Sequence, residues 1–389
     1  MTEIAHGAVV VLPGEAILSR WWRTLDKVVL GAVVLLFAFG LLLGLAASVP
    51  LAERNGLPPF YYVYRQVVFG GMAFVVMLIV SMMSPNLVRR LGVLGFFGAL
   101  AALMLLPVLG TDFGKGATRW YSLGFASVQP SEFLKPVFVI MTAWLMSAAA
   151  EPNGPPGKAI SFGILGLVIG FLAMQPDFGQ AMLTIVAWSS IYFVAGAPIA
   201  LLTGVVGVVA AIGFVAYNNS EHFARRIDGF LNPEVDPRTQ MGYAIDAIRE
   251  GGLFGTGVNE GRVKWTLPDA HTDFIIAVAA EEYGMVMVFA IIALFATITA
   301  RCLLRLCIER DLFTRLAGTG LTVLLASQAF INLGVAVRLL PAKGMTLPFV
   351  SYGGSSLIAM GALMGMLLCF TRTRPQTEIG DHLLSNGFR

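Results

Sequence analysis

Residues 28–51 read VVLGAVVLLFAFGLLLGLAASVPL, 24 positions in a row without a charged side chain. A helix needs roughly 20 apolar residues to cross the hydrocarbon core of a bilayer, so this run is long enough to span it. The rest of the chain is of the same kind. Of 389 residues, 57% are apolar and 13% charged, about half the charged share of roughly 25% usual in globular domains. Mean hydropathy is +0.78. A soluble domain of this length has no core large enough to hide so much apolar surface, and no nucleic-acid partner is expected.

Further apolar runs place spans near 28–50, 61–83, 91–110, 131–150, 159–174, 180–196, 198–217, 273–298, 315–340 and 355–371. The expected fold is an all-α polytopic integral membrane protein of about ten helices. One transmembrane domain, 28–371, lies between a 1–27 tail and a 372–389 tail. The first run is too long for the h-region of a cleavable signal and reads as a retained anchor. Orientation follows from Lys and Arg in short loops. With the N-terminus inside, the cytoplasmic set is Arg20, Arg23, Lys27, Arg89, Arg90, Lys158, Arg301, Arg305, Arg310, Arg315, Arg372, Arg374 and Arg389, 13 of the 26 basic residues. An even number of spans then puts both termini in the cytoplasm. The 218–272 stretch becomes a long outer loop between the seventh and eighth spans. Cys302, Cys307 and Cys369 have no metal-ligand spacing, so neither a disulfide nor a zinc site is expected. Gly40-x-x-x-Gly44 and Gly166-x-x-x-Gly170 have the spacing that lets spanning helices approach closely.

The remaining basic residues lie toward the outer side, concentrated in 111–135, 218–272 and 335–354. Long loops escape the charge bias, which covers part of 218–272. It does not cover Lys135, Arg338 or Lys343, which fall at or in expected helices. A charge there costs several kcal/mol unless paired or hydrated, so these three are candidates for function. A basic outer crevice calls for an anionic ligand, and a phosphate is the natural choice.

Four outer segments combine acids, bases, glycine and proline. The first runs from Gly116-Ala117-Thr118-Arg119-Trp120 to Gln129-Pro130-Ser131-Glu132-Phe133-Leu134-Lys135. Ser131 is placed to cap the fourth span, and Glu132 and Lys135 lie one turn apart on one face. They form a local ion pair, or Lys135 and Arg119 face a diphosphate. In the second, Gln175-Pro176-Asp177-Phe178-Gly179-Gln180, Asp177 caps the next helix, orients a basic residue or holds a metal ion. The third, Leu267-Pro268-Asp269-Ala270-His271-Thr272-Asp273, opens the eighth span. Helix N-terminal amides favour a carboxylate at Asp273, and a general base for a hydroxyl group is equally well served there. Deeper in that span, Glu281 and Glu282 point about 100° apart and so take different partners. These are either ion-pair partners or members of a proton pathway. The fourth holds Asn332, Arg338, Lys343 and the glycine-rich Ser351-Tyr352-Gly353-Gly354-Ser355-Ser356. Small residues there permit close backbone approach to an anion, which makes Arg338, Lys343, Ser351 and Ser355 candidate substrate contacts.

Inside the outer loop, Asp236-Pro237 reads as an N-cap followed by an N1 proline. Met241, Ala244, Ile245 and Ile248 make an apolar stripe, and Gly251-Gly252 ends the helix. This predicts an amphipathic helix, packed on the spans or lying on the membrane as a lid over a lipid-linked substrate.

At 116–120, 129–135, 175–179, 228–233, 271–274 and 351–356 the chain resembles the SEDS family (shape, elongation, division and sporulation proteins) of bacterial cell-wall synthases. The likeness runs from the first span to the tenth. Leu340-Pro341-Ala342-Lys343-Gly344 is more similar to the division branch of the family than to its elongation branch, with Ala342 where Thr is usual. The resemblance implies a peptidoglycan glycosyltransferase at the outer face of the cytoplasmic (inner) membrane. It would polymerise lipid II through β-1,4 linkages and release undecaprenyl diphosphate. Asp273 would act as general base on the acceptor 4-hydroxyl, and Arg119, Glu132, Lys135 and Asp177 would line the central cavity. Implied partners are a class B penicillin-binding protein and other membrane proteins of the division machinery. A divalent cation such as Mg²⁺ or Mn²⁺ is compatible with this chemistry, although no ligand cluster fixes one, and no organic cofactor is expected. A lipid II flippase is the rival reading, but it needs polar groups along a route to both faces. A division scaffold without activity is the third.

Overall fold

A computed structural model of the protein describes residues 17–111, 118–124, 126–219, 221–232, 239–267, 269–341 and 344–373. Every expected span falls on a helix. In chain order these are α2 (Lys27–Arg54), α3 (Tyr61–Met82), α4 (Pro85–Leu109), α5 (Pro130–Ala148), α6 (Gly157–Met174), α7 (Phe178–Val194), α8 (Ile199–Asn219), α11 (Ile275–Cys307), α12 (Leu312–Ala336) and α13 (Gly354–Thr371). Three shorter helices complete the set: α1 (Ile17–Thr24), α9 (Glu221–Leu231) and α10 (Gln240–Gly251). Seven helices, α2, α3, α4, α6, α11, α12 and α13, are long and apolar enough to cross a membrane, and α7 is a shorter apolar helix. The chain is a polytopic helical membrane protein.

Local chemistry sets the helix starts. Asp26 accepts the amides of Val28 and Val29 at the head of α2, Ser84 caps α4 ahead of Pro85, and Asp311 caps α12 through Thr314 N. Two ends differ from expectation. The helix α4 begins at Pro85, not near 91, so Arg89 and Arg90 stand on it. Continuing to Cys307, α11 carries Arg301 and Arg305 back toward Asp26, with Arg301 Nη2 3.0 Å from Asp26 Oδ2. The all-α expectation also missed a hairpin between α4 and α5. Two-residue strands β1 (Tyr121–Ser122) and β2 (Ser127–Val128) pair antiparallel, Tyr121 opposite Val128, across a turn where Gly124 takes a positive φ of 80°.

Burial sorts the helices into an inner and an outer set. In their most apolar 18-residue windows α13 is 83% buried and α12 72%, whereas α4 is 22% buried. The helix α12 packs on α5, α7 and α11, and α13 lies along α3. Outer helices present Leu94, Phe97, Val108 and Phe289 outward, as a lipid solvent permits. The described part of 218–272 includes α9, α10 and a 3-10 turn at Val263–Trp265. Its helix α10 is capped by Thr239, not Asp236, because the Thr239 hydroxyl takes the Gly242 amide. Asp236 and Pro237 lie outside the described residues. Gly242, Ala244, Ala247 and Gly251 of α10 are buried, and α10 packs against α11, so the packed alternative holds over the surface lid.

The close helix contacts are only partly those expected from glycine spacing. A Cβ on Gly40 would lie 2.6 Å from Phe349 O, and one on Gly44 2.6 Å from Gln66 Oε1, whereas Gly166 and Gly170 face open space. The most extensive helix pairing, α3 with α13, uses Gly361 and Gly365. A Cβ on Gly361 would collide with the Ala73 carbonyl, and one on Gly365 would lie 2.7 Å from Met77 O. Gly361→Val is therefore expected to destabilise the protein by roughly 1–3 kcal/mol through overpacking. Gly166→Ala should leave the thermal midpoint in detergent unchanged, and equal midpoints for the two variants would refute this packing account.

Candidate functional site

Two amides one turn apart on α12 organise the polar interior. Asn332 Nδ2 donates to Asp273 O at 3.1 Å and to Met345 O at 2.6 Å. Gln328, four residues earlier, donates from Nε2 to Thr346 O at 3.1 Å and accepts Lys135 Nζ at 2.9 Å. Residues i and i+4 stand about 6 Å apart along a helix, so α12 brings the Asp273 turn and the Lys135 ammonium to one level. The 344–347 segment passes beside both. A Cβ on Gly344 would lie 3.1 Å from Asp273 Oδ2, so glycine is what lets the backbone approach that carboxylate.

Asp273 is not the cap of α11. The N-cap position belongs to Phe274, which makes no side-chain cap bond, and the helix starts at Ile275. Capping therefore does not account for the acid. Its turn is held through the backbone instead: Asp273 N donates to Asp269 O at 3.1 Å, and Ser351 Oγ donates to Thr272 O at 2.5 Å. The carboxylate is partly exposed at the helix mouth.

Lys135 and Glu132 form the expected ion pair, 2.8 Å apart, and both are buried. Gln180 Nε2 donates to the other Glu132 oxygen at 2.5 Å. Asp177 adjoins this network. It caps α7 through Gln180 N at 3.5 Å and accepts Gln129 Nε2 at 3.2 Å. Burial pushes the Asp177 carboxyl above its usual range, against the pull of the Arg119 guanidinium. The expected Ser131 cap is absent: Gln129 is the N-cap of α5 without a side-chain bond, and Ser131 Oγ is buried without a hydrogen-bond partner. Glu281 and Glu282 do take different partners. Glu281 Oε1 accepts Arg262 N at 2.6 Å, and Glu282 Oε1 pairs with Lys264 Nζ at 2.6 Å.

Other expected site residues make contacts of their own. Arg119 donates to the carbonyls of Gln175 (2.8 Å) and Pro176 (3.0 Å), closing the end of α6. Arg338, at a positive φ of 57°, donates to Phe230 O at 3.1 Å and to Asn232 O, tying down the end of α9. That contact places the Arg338 guanidinium against the C-terminal end of α9. Ser351 also accepts Leu347 N at 2.9 Å, and Ser355 Oγ accepts Gln129 N at 3.3 Å. Lys343 lies outside the described residues, next in sequence to Gly344. The sequence reading gave no role of their own to Gln180, Gln328, Asn332 and Lys264. A single amide in an otherwise apolar helix is the signal that marks the first three, because a buried amide demands partners. Among the described residues no three His, Cys, Asp or Glu side chains gather as a metal would need. On the opposite face of α5 from Lys135, an apolar cavity of about 430 Å³ is lined by Gly95, Ala99, Tyr121, Phe133, Pro136 and Met366.

Two predictions follow from the burial of these charges. Lys135→Met alone leaves Glu132 buried with only Gln180, and is expected to cost roughly 3–5 kcal/mol; Glu132→Gln with Lys135→Met should recover most of it. Thermal unfolding in detergent checks this, and a double variant no more stable than the single would contradict it. A carboxyl raised in the folded state stabilises fully below its unfolded pKa, and that contribution is lost as pH rises through the folded value. Asp177→Asn keeps a capping oxygen and removes the penalty. Its midpoint should exceed wild type at about pH 8, with the gain shrinking toward about pH 4.

Comparison with known proteins agrees with this architecture. Residues 26–376 match the family model FTSW_RODA_SPOVE, described as cell cycle protein. The chain is 41% identical over 359 residues to the probable peptidoglycan glycosyltransferase FtsW of Caulobacter vibrioides, covering 92% of each. It is 36% identical to the protein of the same name from Trichlorobacter lovleyi, covering 88% of this chain and 92% of that one. Among solved structures it is similar to the rod shape determining protein RodA of Thermus thermophilus (TM-score 0.68, 28% identity, 91% of this chain and 99% of that one). It is also similar to a chain from a peptidoglycan synthase complex that coordinates polymerization and crosslinking (TM-score 0.73, 27% identity, 90% and 98%). The chain belongs to the FtsW/RodA/SpoVE family of cell cycle proteins, the SEDS family that its motifs resemble.

Proposed function

We infer that this protein is a peptidoglycan glycosyltransferase of the division type, which polymerises lipid II at the outer face of the cytoplasmic membrane. The observation that carries the site assignment is the Asp273 carboxylate. The residue is partly exposed, lies outside the N-cap position of α11, and has its carboxylate approached by the backbone at Gly344. In this reading Asp273 removes the proton from the acceptor sugar's 4-hydroxyl as that oxygen attacks the donor's anomeric carbon. The bond from that carbon to the diphosphate breaks, and undecaprenyl diphosphate leaves with its electron pair. Lys343, adjacent in sequence to Gly344, is assigned in this reading to meet the charge growing on the diphosphate. Lys135, already matched by Glu132 and Gln328, sets the field of the interior rather than offering a free cation.

The topology that goes with this reading has ten spans, both termini in the cytoplasm, and 218–272 outside. A partner of the class B penicillin-binding type, which crosslinks new glycan, fits the synthase complex to which the chain is similar. The apolar cavity beside α5 has the character needed for part of a lipid chain.

The deciding measurement is polymerisation of labelled lipid II by the purified protein with its transpeptidase partner. Asp273→Asn, folded as judged by its melting curve, should lose at least about a hundredfold in turnover, the lower end of the usual contribution of a general base. Equal activity of the two proteins would move the base elsewhere. If neither polymerises and both carry lipid II across vesicle membranes, the protein is a flippase.

A further inference from the structure

The helix that follows Asp273 is not one rod. At Gly284 the backbone takes φ 75° and ψ −177°, which severs α11 after residue 283. Residues 275–283 are thus a short strut with Asp273 at its outer end and Glu281 and Glu282 at its inner end. The break is completed by the chain that follows α10. Thr256 N and Gly257 N donate to the carbonyls of Glu281 (2.8 Å) and Glu282 (3.3 Å) on one side of it. On the other side, Met285 N donates to Gly252 O at 3.0 Å and Val286 N to Leu253 O at 3.3 Å.

Glycine makes this intercalation possible. A Cβ on Gly255 would collide with Glu282 O, and one on Gly284 with Leu253 O. Backbone pairing alone fixes the strut along one edge. Two side chains fix the rest: Glu281 Oε1 receives Arg262 N at 2.6 Å, and Glu282 Oε1 receives Lys264 Nζ at 2.6 Å. Lys264 is itself steadied by Asn259 Oδ1 at 2.8 Å. Both members of the Lys264–Glu282 pair have fully buried side chains.

We propose that the Lys264–Glu282 ion pair is a positioning device for Asp273, fixing the pose of the severed 275–283 strut from its inner end. A buried pair is weak evidence for stability, because apolar residues of similar size often hold a fold as well. What apolar contacts do not supply is direction. The ammonium and carboxylate meet in one geometry, so the strut has one register against the 252–265 segment. Asp273 stands ten residues before the break, and a helical strut rises about 1.5 Å per residue. A small tilt at Glu282 therefore moves the carboxylate by a comparable distance across the site, and misplacements of about 1 Å can cost a hundredfold in rate.

This proposal rests on the reading of Asp273 as the base, and its test separates the two. Four full-length proteins are compared with the transpeptidase partner on lipid II: wild type, Lys264→Met with Glu282→Leu, the exchanged pair Lys264→Glu with Glu282→Lys, and Asp273→Asn. Amide hydrogen exchange over 275–283 is measured on the same samples. The apolar pair should melt near wild type, exchange faster in the strut, and lose about tenfold or more in kcat with KM changed less than about twofold. The exchanged pair should recover much of both. The proposal is overturned if the apolar pair turns over like wild type, whether or not exchange rises, or if kcat falls without any change in exchange. It is also overturned if the apolar pair fails to fold while the exchanged pair folds and works no better than Asp273→Asn. Full activity of Asp273→Asn would instead overturn the assignment of the base, leaving the exchange result to report on the strut alone.

Discussion

A backbone amide or carbonyl with no partner is costly in hydrocarbon, and the whole architecture answers to that constraint. Regular helices satisfy it within themselves. An interruption is tolerated only where other protein groups complete the broken bonds. The break at Gly284 is such a place, and the 252–257 segment is the group that completes it. Because that segment must enter the helix packing to do so, α10 and the chain after it are fastened to α11. The loop that a sequence reader draws outside the protein is in part a component of its interior.

The same accounting applies to charge. The described interior holds two buried ion pairs, Lys135 with Glu132 and Lys264 with Glu282, and each has further hydrogen-bond partners. A buried charge without its counter-charge is far more expensive than the pair. The first pair joins α5 to α7 and α12 through Gln180 and Gln328. The second joins the chain after α10 to α11. Between them runs α12, whose Asn332 holds the Asp273 turn. Asp273 is thus a partly exposed acid whose backbone carbonyl is held by Asn332 and whose neighbour Thr272 is held by Ser351. That division of labour suits a catalytic group, which must be rigidly presented and still reach a substrate.

Several residues singled out in the sequence as candidate ligands also bond backbone, and two of them do so for one reason. Arg119 and Arg338 both end on backbone carbonyls at helix C-termini, where the last carbonyls lack helical partners and the helix dipole favours a cation. An arginine beside a helix end and an arginine beside a phosphate have the same local sequence. Ser351 and Ser355 likewise bond backbone groups. The α1 segment shows the opposite case, since Trp21 of a stretch that reads as a mixed tail is buried and donates to Ser81 at 3.1 Å.

What the sequence determined by itself was whatever depends on local composition. The positions of the spans follow from apolar runs, because water and lipid sort side chains by polarity regardless of neighbours. The Glu132–Lys135 pair follows from helical spacing, and the family follows from the order of six motifs. What only the tertiary structure decided was every choice that depends on partners distant in the chain. These include the Thr239 cap in place of Asp236, the inner position of α12 and α13, and the Gly361 crossing. They also include the severed α11 and the burial of Lys264 against Glu282. Hydropathy reports how a residue prefers its solvent, and it carries no information about which of two distant polar groups will be brought together. That pairing is fixed only when the helices pack.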